Sequence, residues 1–271
     1  MAGANDTVRV EYKGRIAIIT IDNKKKLGAL DGDGYYLLAK YMREVATHDE
    51  VIITVLTGTG GFFSAGADVT IGRELPPGTD LYRSTLSGFV VNNLNITHAF
   101  YSHPKLLVVA LNGPAIGLSA ALTGFADFIY ATPNTFLLTP FSSIGLVAEG
   151  GSSIGFVQRL GISKANEALI LSKRIGIDDL VSTGYVNKVF DFKKGDPKFL
   201  EAVLAEIDDS MGDHLVGSSL TKIKALIQKP MRDRLDAQGV AEVFGGLERF
   251  VSGIPQAEFR KLASGEKRHK L

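Results

Sequence analysis

One acid in this sequence sits where acids are rare. In GLVAEGG (145–151), Glu149 follows the apolar residues Leu146, Val147 and Ala148 and is followed at once by two glycines. A carboxylate in such company costs free energy unless it caps a helix or does chemistry. The groups that could work with it are peptide amides. GTGGFFSAGAD (58–68) leaves a strand and brings together Ala65, Gly66 and Ala67, small residues that leave main-chain N–H groups uncovered. LNGPAIGLSAAL (111–122) repeats the design, with a Gly-Pro turn and then Gly117 and Leu118 opening a helix. Two N–H groups, one from each strand exit, can converge on a single oxygen and stabilise the charge that develops there. On spacing alone, the same turns also serve plain strand-to-helix packing, and Glu149 alone also reads as a carboxylate on a helix dipole. The glycine-rich stretch lacks GK[ST] and does not fit GxGxxG, which disfavours binding of nucleoside triphosphates.

Composition excludes several other chemistries. The chain has 271 residues, 45% of them hydrophobic and 22% charged, enough for a sizeable core. Its 30 basic and 29 acidic residues leave a formal charge of +1, no basis for nucleic-acid binding by bulk electrostatics. A few local cations could still hold an anionic small molecule. The absence of cysteine excludes disulfides, thiol nucleophiles and zinc-thiolate sites. Five histidines form no HExxH or other ligand spacing, so no metal site is expected. No apolar run reaches membrane-spanning length, and MAGANDTVRVEY does not read as a signal peptide.

The elements that must position the acid and the amides are legible in outline. VRVEY (8–12) and RIAIITID (15–22) read as strands joined by a turn at KG. From Gly34, YYLLAKYMREVATH carries apolar residues at helical spacing, with Asp33 as its cap. VIITVLTG (51–58) and LLVVALNG (106–113) read as buried strands, GLSAALTGFA (117–126) as a helix, and DFIYAT and TFLLT as further strands. After Gly151 helical patterns dominate: SSIGFVQRLG, SKANEALILSK (163–173), PKFLEAVLAEIDDSMG, SLTKIKALIQK and VAEVFGGLERFVSG, with a short strand VNKVF at 186–190. Strand–strand–helix units followed by helices predict an α/β core over residues 1–200. A helical region, 201–271, covers that core or packs on another subunit.

FFSAGAD followed by NGPAIGLSAAL resembles the enoyl-CoA hydratase/isomerase (crotonase) family, over about residues 8–200 and in the same order of elements. The resemblance implies a spiral of ββα turns with a C-terminal helical trimerisation region. It also implies that the amides of Ala67 and Leu118 bind the thioester carbonyl of an acyl-CoA, with Ala65, Gly66, Asp68, Val69 and Gly117 beside the substrate. Two glutamates activate water in the hydratases of the family, and Ala121 and Phe141 take their places here, so hydration is expected to be poor or absent. LVAEGGSS is instead similar to the glutamate-glycine motif of the peroxisomal Δ3,Δ2-enoyl-CoA isomerases, which makes Glu149 the proton carrier. No cofactor is implied beyond the coenzyme A of the substrate. An apolar wall would raise the pKa of Glu149 and a helix beginning near Ser152 would lower it.

Other roles follow more loosely. FVVNNLNITHAF (89–100) reads as a helix over the acyl site, from which Asn92 or Asn93 could orient Glu149 or a water; its polar face also reads as merely solvated. Lys24, Lys25 and Lys26 fall where the family's N-terminal loop meets coenzyme A, Asp68 reads as a helix cap, and His98 and His103 as structural. The terminal His269-Lys270-Leu271 is similar to the S-K-L peroxisomal address and equally describes a solvated basic tail. The expected protein is a Δ3,Δ2-enoyl-CoA isomerase of peroxisomal β-oxidation, assembled as a trimer or a dimer of trimers and imported through that tripeptide. The alternatives are a dienoyl-CoA isomerase, another acyl-CoA enzyme of this fold, and a non-catalytic acyl-CoA-binding subunit.

Overall fold

The computed structural model describes residues 7–68 and 78–268. Strand β1 (Val8–Lys13) turns through Gly14 into β2 (Ile16–Ile21), antiparallel to it. Helix α1 (Gly32–Ala46) follows and leads to β3 (Ile53–Gly58). The cap of α1 is Asp31, whose Oδ1 accepts from the Gly34 amide at 2.7 Å, and not Asp33 as the sequence suggests. Asp33 lies inside the first turn, where its charge still suits the helix dipole.

After residue 78 come α2 (Leu81–Thr85), one wide π turn (Leu86–Val90) and α3 (Val91–Tyr101). Then β4 (Leu106–Leu111), β5 (Ala115–Ile116) and α4 (Gly117–Thr123) succeed one another with short connections. β6 (Phe128–Ala131) and β7 (Phe136–Leu138) lead into α5 (Ser152–Leu169), which breaks at Gly161 and ends short of the predicted Lys173. The chain finishes with β8 (Ile175–Gly176), α6 (Ile177–Ser182), β9 (Lys188–Val189), α7 (Lys198–Met211), α8 (Gly217–Gln228), α9 (Arg232–Val251) and α10 (Ile254–Ala263).

Six strands pair in the order β1-β2-β3-β4-β6-β9, parallel from β2 onward. A second sheet, β5-β7-β8, forms where the chain leaves β4. The two faces of β4 explain why LLVVAL is apolar at every position. Leu107, Val109 and Leu111 join the core under α1, α3, α4 and α5. Leu106, Val108 and Ala110 face Phe199, Val203, Ile207 and Met211 of α7. A strand covered on both faces reads as a continuous apolar run, and each large side chain so buried contributes roughly 1.5–3 kcal/mol.

The C-terminal helices pack on the core of the chain. α9 packs Val243 and Leu247 against Val90, with Leu86, Phe89 and Leu94 around them. α8 is pinned by one buried cation. Lys224 Nζ, 3% exposed, donates to the Lys105 carbonyl at 2.6 Å and to Asp127 Oδ2 at 2.7 Å. Burial pulls its ammonium below the usual lysine range, and Asp127 opposes that shift. His103 lies just past α3, its Nε2 2.7 Å from Thr54 Oγ1. Burial first, then Lys224 and Lys105, press its pKa down to about 3, so it is a neutral core residue.

Replacing Lys224 with methionine strands Asp127 beside the sheet. The loss of stability in urea should be about 3 kcal/mol. A loss below about 1 kcal/mol would show that the pair contributes little.

Candidate active site

Two strand exits meet at the centre of the molecule because their backbones are laced together. The Phe63 and Ser64 amides donate to the Pro114 carbonyl at 3.0 and 3.2 Å, and the Ile116 amide donates to the Ser64 carbonyl at 2.9 Å. Asn112 bonds across the gap on both sides, accepting from the Gly58 amide and donating to the Gly60 and Phe62 carbonyls. Ser64 Oγ donates to Ser119 Oγ at 2.9 Å, and Tyr35 Oη lies 3.1 Å from the same Ser119 hydroxyl. The approach is closest at Gly66, where a Cβ would stand 2.7 Å from the Ile116 carbonyl oxygen and where φ is +84°. Only glycine fits both demands.

The lacing leaves two amides over. Leu118 is the second residue of α4, where no carbonyl of the helix can reach its N–H. Ala67 bridges to Leu30 only through its neighbours, the Gly66 carbonyl and the Asp68 amide. Neither the Ala67 nor the Leu118 N–H donates to another group among the described residues. Both residues line one cavity of about 420 Å³, together with Ala65, Gly66 and Gly117.

Glu149 lines the same cavity, half-buried, on the turn between Ile144 and α5. Asn93 of α3 donates from Nδ2 to Glu149 Oε2 at 2.8 Å, and Thr97 Oγ1 donates to Asn93 Oδ1 at 3.3 Å. The Glu149 carbonyl accepts from the Ser152 amide and from Ser152 Oγ at 2.8 Å, which closes the turn. Gly150 and Gly151 carry φ of +66° and +70°, so the chain lies flat on α4. A Cβ at Gly150 would meet Leu118 Cδ1 at 2.6 Å and Ala121 Cβ at 3.0 Å. Phe89, Ile96, Phe141, Ile144 and Leu146 make the cavity's wall apolar, and Phe250, Phe259 and Leu262 join it from the C-terminal helices. Among the described residues that line it, Glu149 is the only acid and there is no cation. The cavity can therefore take an apolar chain, hold an oxygen at two amides and present one carboxylate to the carbons beside it.

The other residues singled out in the sequence fall as follows. Asn93, not Asn92, reaches Glu149; Asn92 Nδ2 donates to the Gly88 carbonyl, though the residue lines the cavity. Thus the polar face of α3 is not merely solvated, since Asn93 is buried. Asp68 is a buried carboxylate whose Oδ2 lies 2.5 Å from Lys26 Nζ, and the residues it is expected to cap lie outside the described ones. Residues 65–68 are also strapped to residues 27–30, through Ala65 N to the Leu27 carbonyl and Leu30 N to the Gly66 carbonyl, each at 2.9 Å. Lys25 is exposed on the short turn Lys24–Lys26. Val69 and the tripeptide His269-Lys270-Leu271 lie outside the described residues. Ala121 and Phe141 are both buried where hydratases of the resembled family carry acids, and Phe141 lines the cavity.

Sequence reasoning missed the C-terminal contribution, above all Glu242 of α9. It is buried, and it accepts from the Gly151 amide at 2.7 Å and the Ser153 amide at 3.0 Å. A signal was present: Glu242 falls on the stripe Leu235, Gly239, Val243, Gly246 and Leu247 that α9 buries, an acid at an apolar position. Among the described residues no group of His, Asp and Glu could hold a metal ion, and no helix is long and apolar enough to cross a membrane.

Known proteins share this architecture. The chain is 64% identical to a Delta(3,5)-Delta(2,4)-dienoyl-CoA isomerase of Pyricularia oryzae, over 97% of this chain and 98% of that one. It is 31% identical to a 3,2-trans-enoyl-CoA isomerase of Saccharomyces cerevisiae, over 98% of each. The crystal structure of an enoyl-CoA hydratase/isomerase from Pseudoalteromonas atlantica T6c has the same fold, with a TM-score of 0.82 at 24% identity, covering 98% of this chain and 100% of that one. A sequence model described as Enoyl-CoA hydratase/isomerase matches residues 11–258, nearly the whole chain, and with these relatives it settles the kinship: the chain belongs to the enoyl-CoA hydratase/isomerase family.

Proposed function

We propose that the protein is an isomerase of unsaturated acyl-CoA thioesters, converting 3-enoyl-CoA to trans-2-enoyl-CoA with Glu149 as the single proton carrier. The observation that carries this reading is one carboxylate, held by Asn93 at 2.8 Å and the only acid among the described residues that line an apolar cavity, which Ala67 and Leu118 line as well.

The chemistry follows from that arrangement. The α-proton of a thioester is far less acidic than a carboxylic acid, so a lone glutamate cannot hold the carbanion. The C3=C4 bond spreads the charge into a dienolate, and the two amides meet the thioester oxygen where the charge collects. The C2–H bond breaks and its proton passes to Glu149, the electron pair shifts through C3, and Glu149 returns the proton to C4 as the double bond settles at C2=C3. C2 and C4 are two bonds apart, within the swing of one carboxyl group. The reaction is redox-neutral and balances with that carboxyl alone, so the reading calls for no cofactor beyond the substrate's coenzyme A. Hydration would need a second acid, and Ala121 and Phe141 do not supply one.

A second reading is favoured by the Pyricularia relative, whose name assigns it a 3,5-dienoyl substrate. That reaction carries a proton from C2 to C6, four bonds away, which one carboxylate spans poorly. Offering 3-enoyl-CoA and 3,5-dienoyl-CoA separately and following the conjugated products by absorbance ranks the two. The setting we propose is the peroxisome, reached through His269-Lys270-Leu271. Assembly into trimers belongs to the same reading and is supported by the exposed Ile223, Leu226 and Ile227 of α8.

Glu149→Gln should lower kcat by about 10³-fold while acyl-CoA still binds, measured by the absorbance assay and by calorimetry. Retention of most of the turnover would sink the assignment. Gly66→Ala tests the amides. Its methyl group would push the Ile116 carbonyl away and separate Ala67 from Leu118, so kcat should fall about 10²-fold in a folded protein. An unchanged kcat would mean that the two amides do not act together.

A further inference from the structure

A buried carboxylate outside the described lining of the cavity sits directly behind the turn of Glu149. Glu242 is 6% exposed. Its Oε2 accepts from the Gly151 amide at 2.7 Å, and its Oε1 accepts from the Ser153 amide at 3.0 Å and from Ser153 Oγ at 2.5 Å. Gln238, one turn earlier on α9, donates to the same Ser153 hydroxyl at 2.9 Å. Three donors on two oxygens match an ionised carboxylate, which only accepts. Burial pushes the Glu242 carboxyl up, while the Ser153 hydroxyl and the Ser153 and Gly151 amides pull it back.

The placement has a purpose if Glu149 is a base. α5 runs 18 residues from Ser152, and its N-terminal end carries the positive pole of the helix. Glu149 precedes that end by three residues, where the pole favours its ionised form and weakens it as a proton acceptor. We propose that Glu242 is a positioning residue for Glu149. Its charge, seated on the first amides of α5, offsets the helix pole and restores basicity to Glu149, and the same bonds clamp the turn that carries it. The proposal rests on the proton-carrier reading of Glu149 and extends it to a residue of the C-terminal helices.

Among the described residues, the other titratable groups around this turn are engaged elsewhere. On the cavity side the only other ionisable side chain among the described lining residues is Tyr35, engaged with Ser119. α3 presents neutral Asn93 to the acid, and its His98 and Tyr101 face Arg232 and Asp236 further along α9. Arg249, beyond Glu242 on α9, donates to the Gly145 carbonyl. The Glu242 carboxyl is raised by burial, and the donors that oppose the shift, Ser153 and Gly151, are neutral.

The titration of Glu149 itself tests this. Carbon-13 NMR of protein labelled at the glutamate carboxyls follows it, the resonance being assigned by its loss in Glu149→Gln. In Glu242→Gln, the isosteric neutral variant, the Glu149 midpoint and the acid limb of kcat should both move to lower pH by roughly half a unit. In Gln238→Lys, whose ammonium keeps a donor beside Ser153 Oγ and sets a positive charge against Glu242, both should likewise move to lower pH. A Glu149 midpoint at its wild-type position in folded Glu242→Gln overturns the proposal, whatever happens to kcat or melting temperature. If Glu242→Gln does not fold, an unmoved midpoint in Gln238→Lys overturns it equally. The NMR midpoints are read without turnover, so a protein that isomerises neither thioester fails the functional reading through the absorbance assay, separately from the role of Glu242.

Discussion

The structure depends on one approach of backbone to backbone. Where Gly66 would carry a side chain, the Ile116 carbonyl stands instead, and that contact brings the exits of β3 and β4 side by side. Much else follows from it. The Phe63 and Ser64 amides are committed to Pro114 and the Ile116 amide to Ser64, so the two loops satisfy each other's polar groups in a place water cannot reach. What they cannot satisfy are the amides at the opening of α4 and at Ala67. Leu118 is buried and Ala67 is exposed, and two neighbouring N–H groups on one cavity that no described carbonyl accepts from fit a site built for an anionic oxygen.

Holding an acid against those amides takes a second constraint, supplied by the far end of the chain. The turn that carries Glu149 has two successive left-handed glycines, and α9 fixes it from behind through a bond spanning 91 residues of sequence. The same helix, with α10, contributes Phe250, Phe259 and Leu262 to the apolar wall. The C-terminal helices therefore shape both the acid's surroundings and the space left for an acyl chain. A carboxylate buried for this work costs stability unless its oxygens are fully bonded, and Glu242 meets that condition with three donors.

The sequence disclosed most strongly what depends on near neighbours. LLVVAL announces a strand covered on both faces, KG a hairpin, and the paired small-residue turns two strand exits, because each signal is a local period or a local backbone demand. Glu149 stood out for the same reason, as an acid in an apolar run. Long-range partners were not legible. The choice between Asp31 and Asp33 turned on where the helix begins, and the pairing of Asp68 with Lys26 on two loops 42 residues apart. Asn93 could be narrowed only to a pair with Asn92, since both lie on the same turn of α3 and only the packing of α3 on the rest decides which one points inward. Glu242 shows the limit most clearly: helical spacing puts it on the buried stripe, but nothing local says which amides it meets.

The positions where hydratases carry their acids give this arrangement its chemical meaning. Ala121 is not simply a glutamate lost. With Gly150 lying where even a Cβ would come within 3.0 Å of the Ala121 methyl, the turn bearing Glu149 occupies the space that a longer side chain at 121 would need. An acid on α4 and an acid on this turn are thus alternatives: a glutamate at 121 would lift the turn from α4, and with it the groups bonded to Asn93 and Glu242. Phe141 adds the same bias from the other wall, placing a ring where a second carboxylate would have to be solvated or paired. Two acids suit the addition of water, one to deliver it and one to protonate carbon, whereas in the proposed reading the one acid among the described lining residues takes a proton and gives it back. The presence of Ala at 121 and the seating of Glu149 are in this sense one steric event, and under the proposed function it is that event which would tilt the shared family scaffold from hydration toward transposition of a double bond.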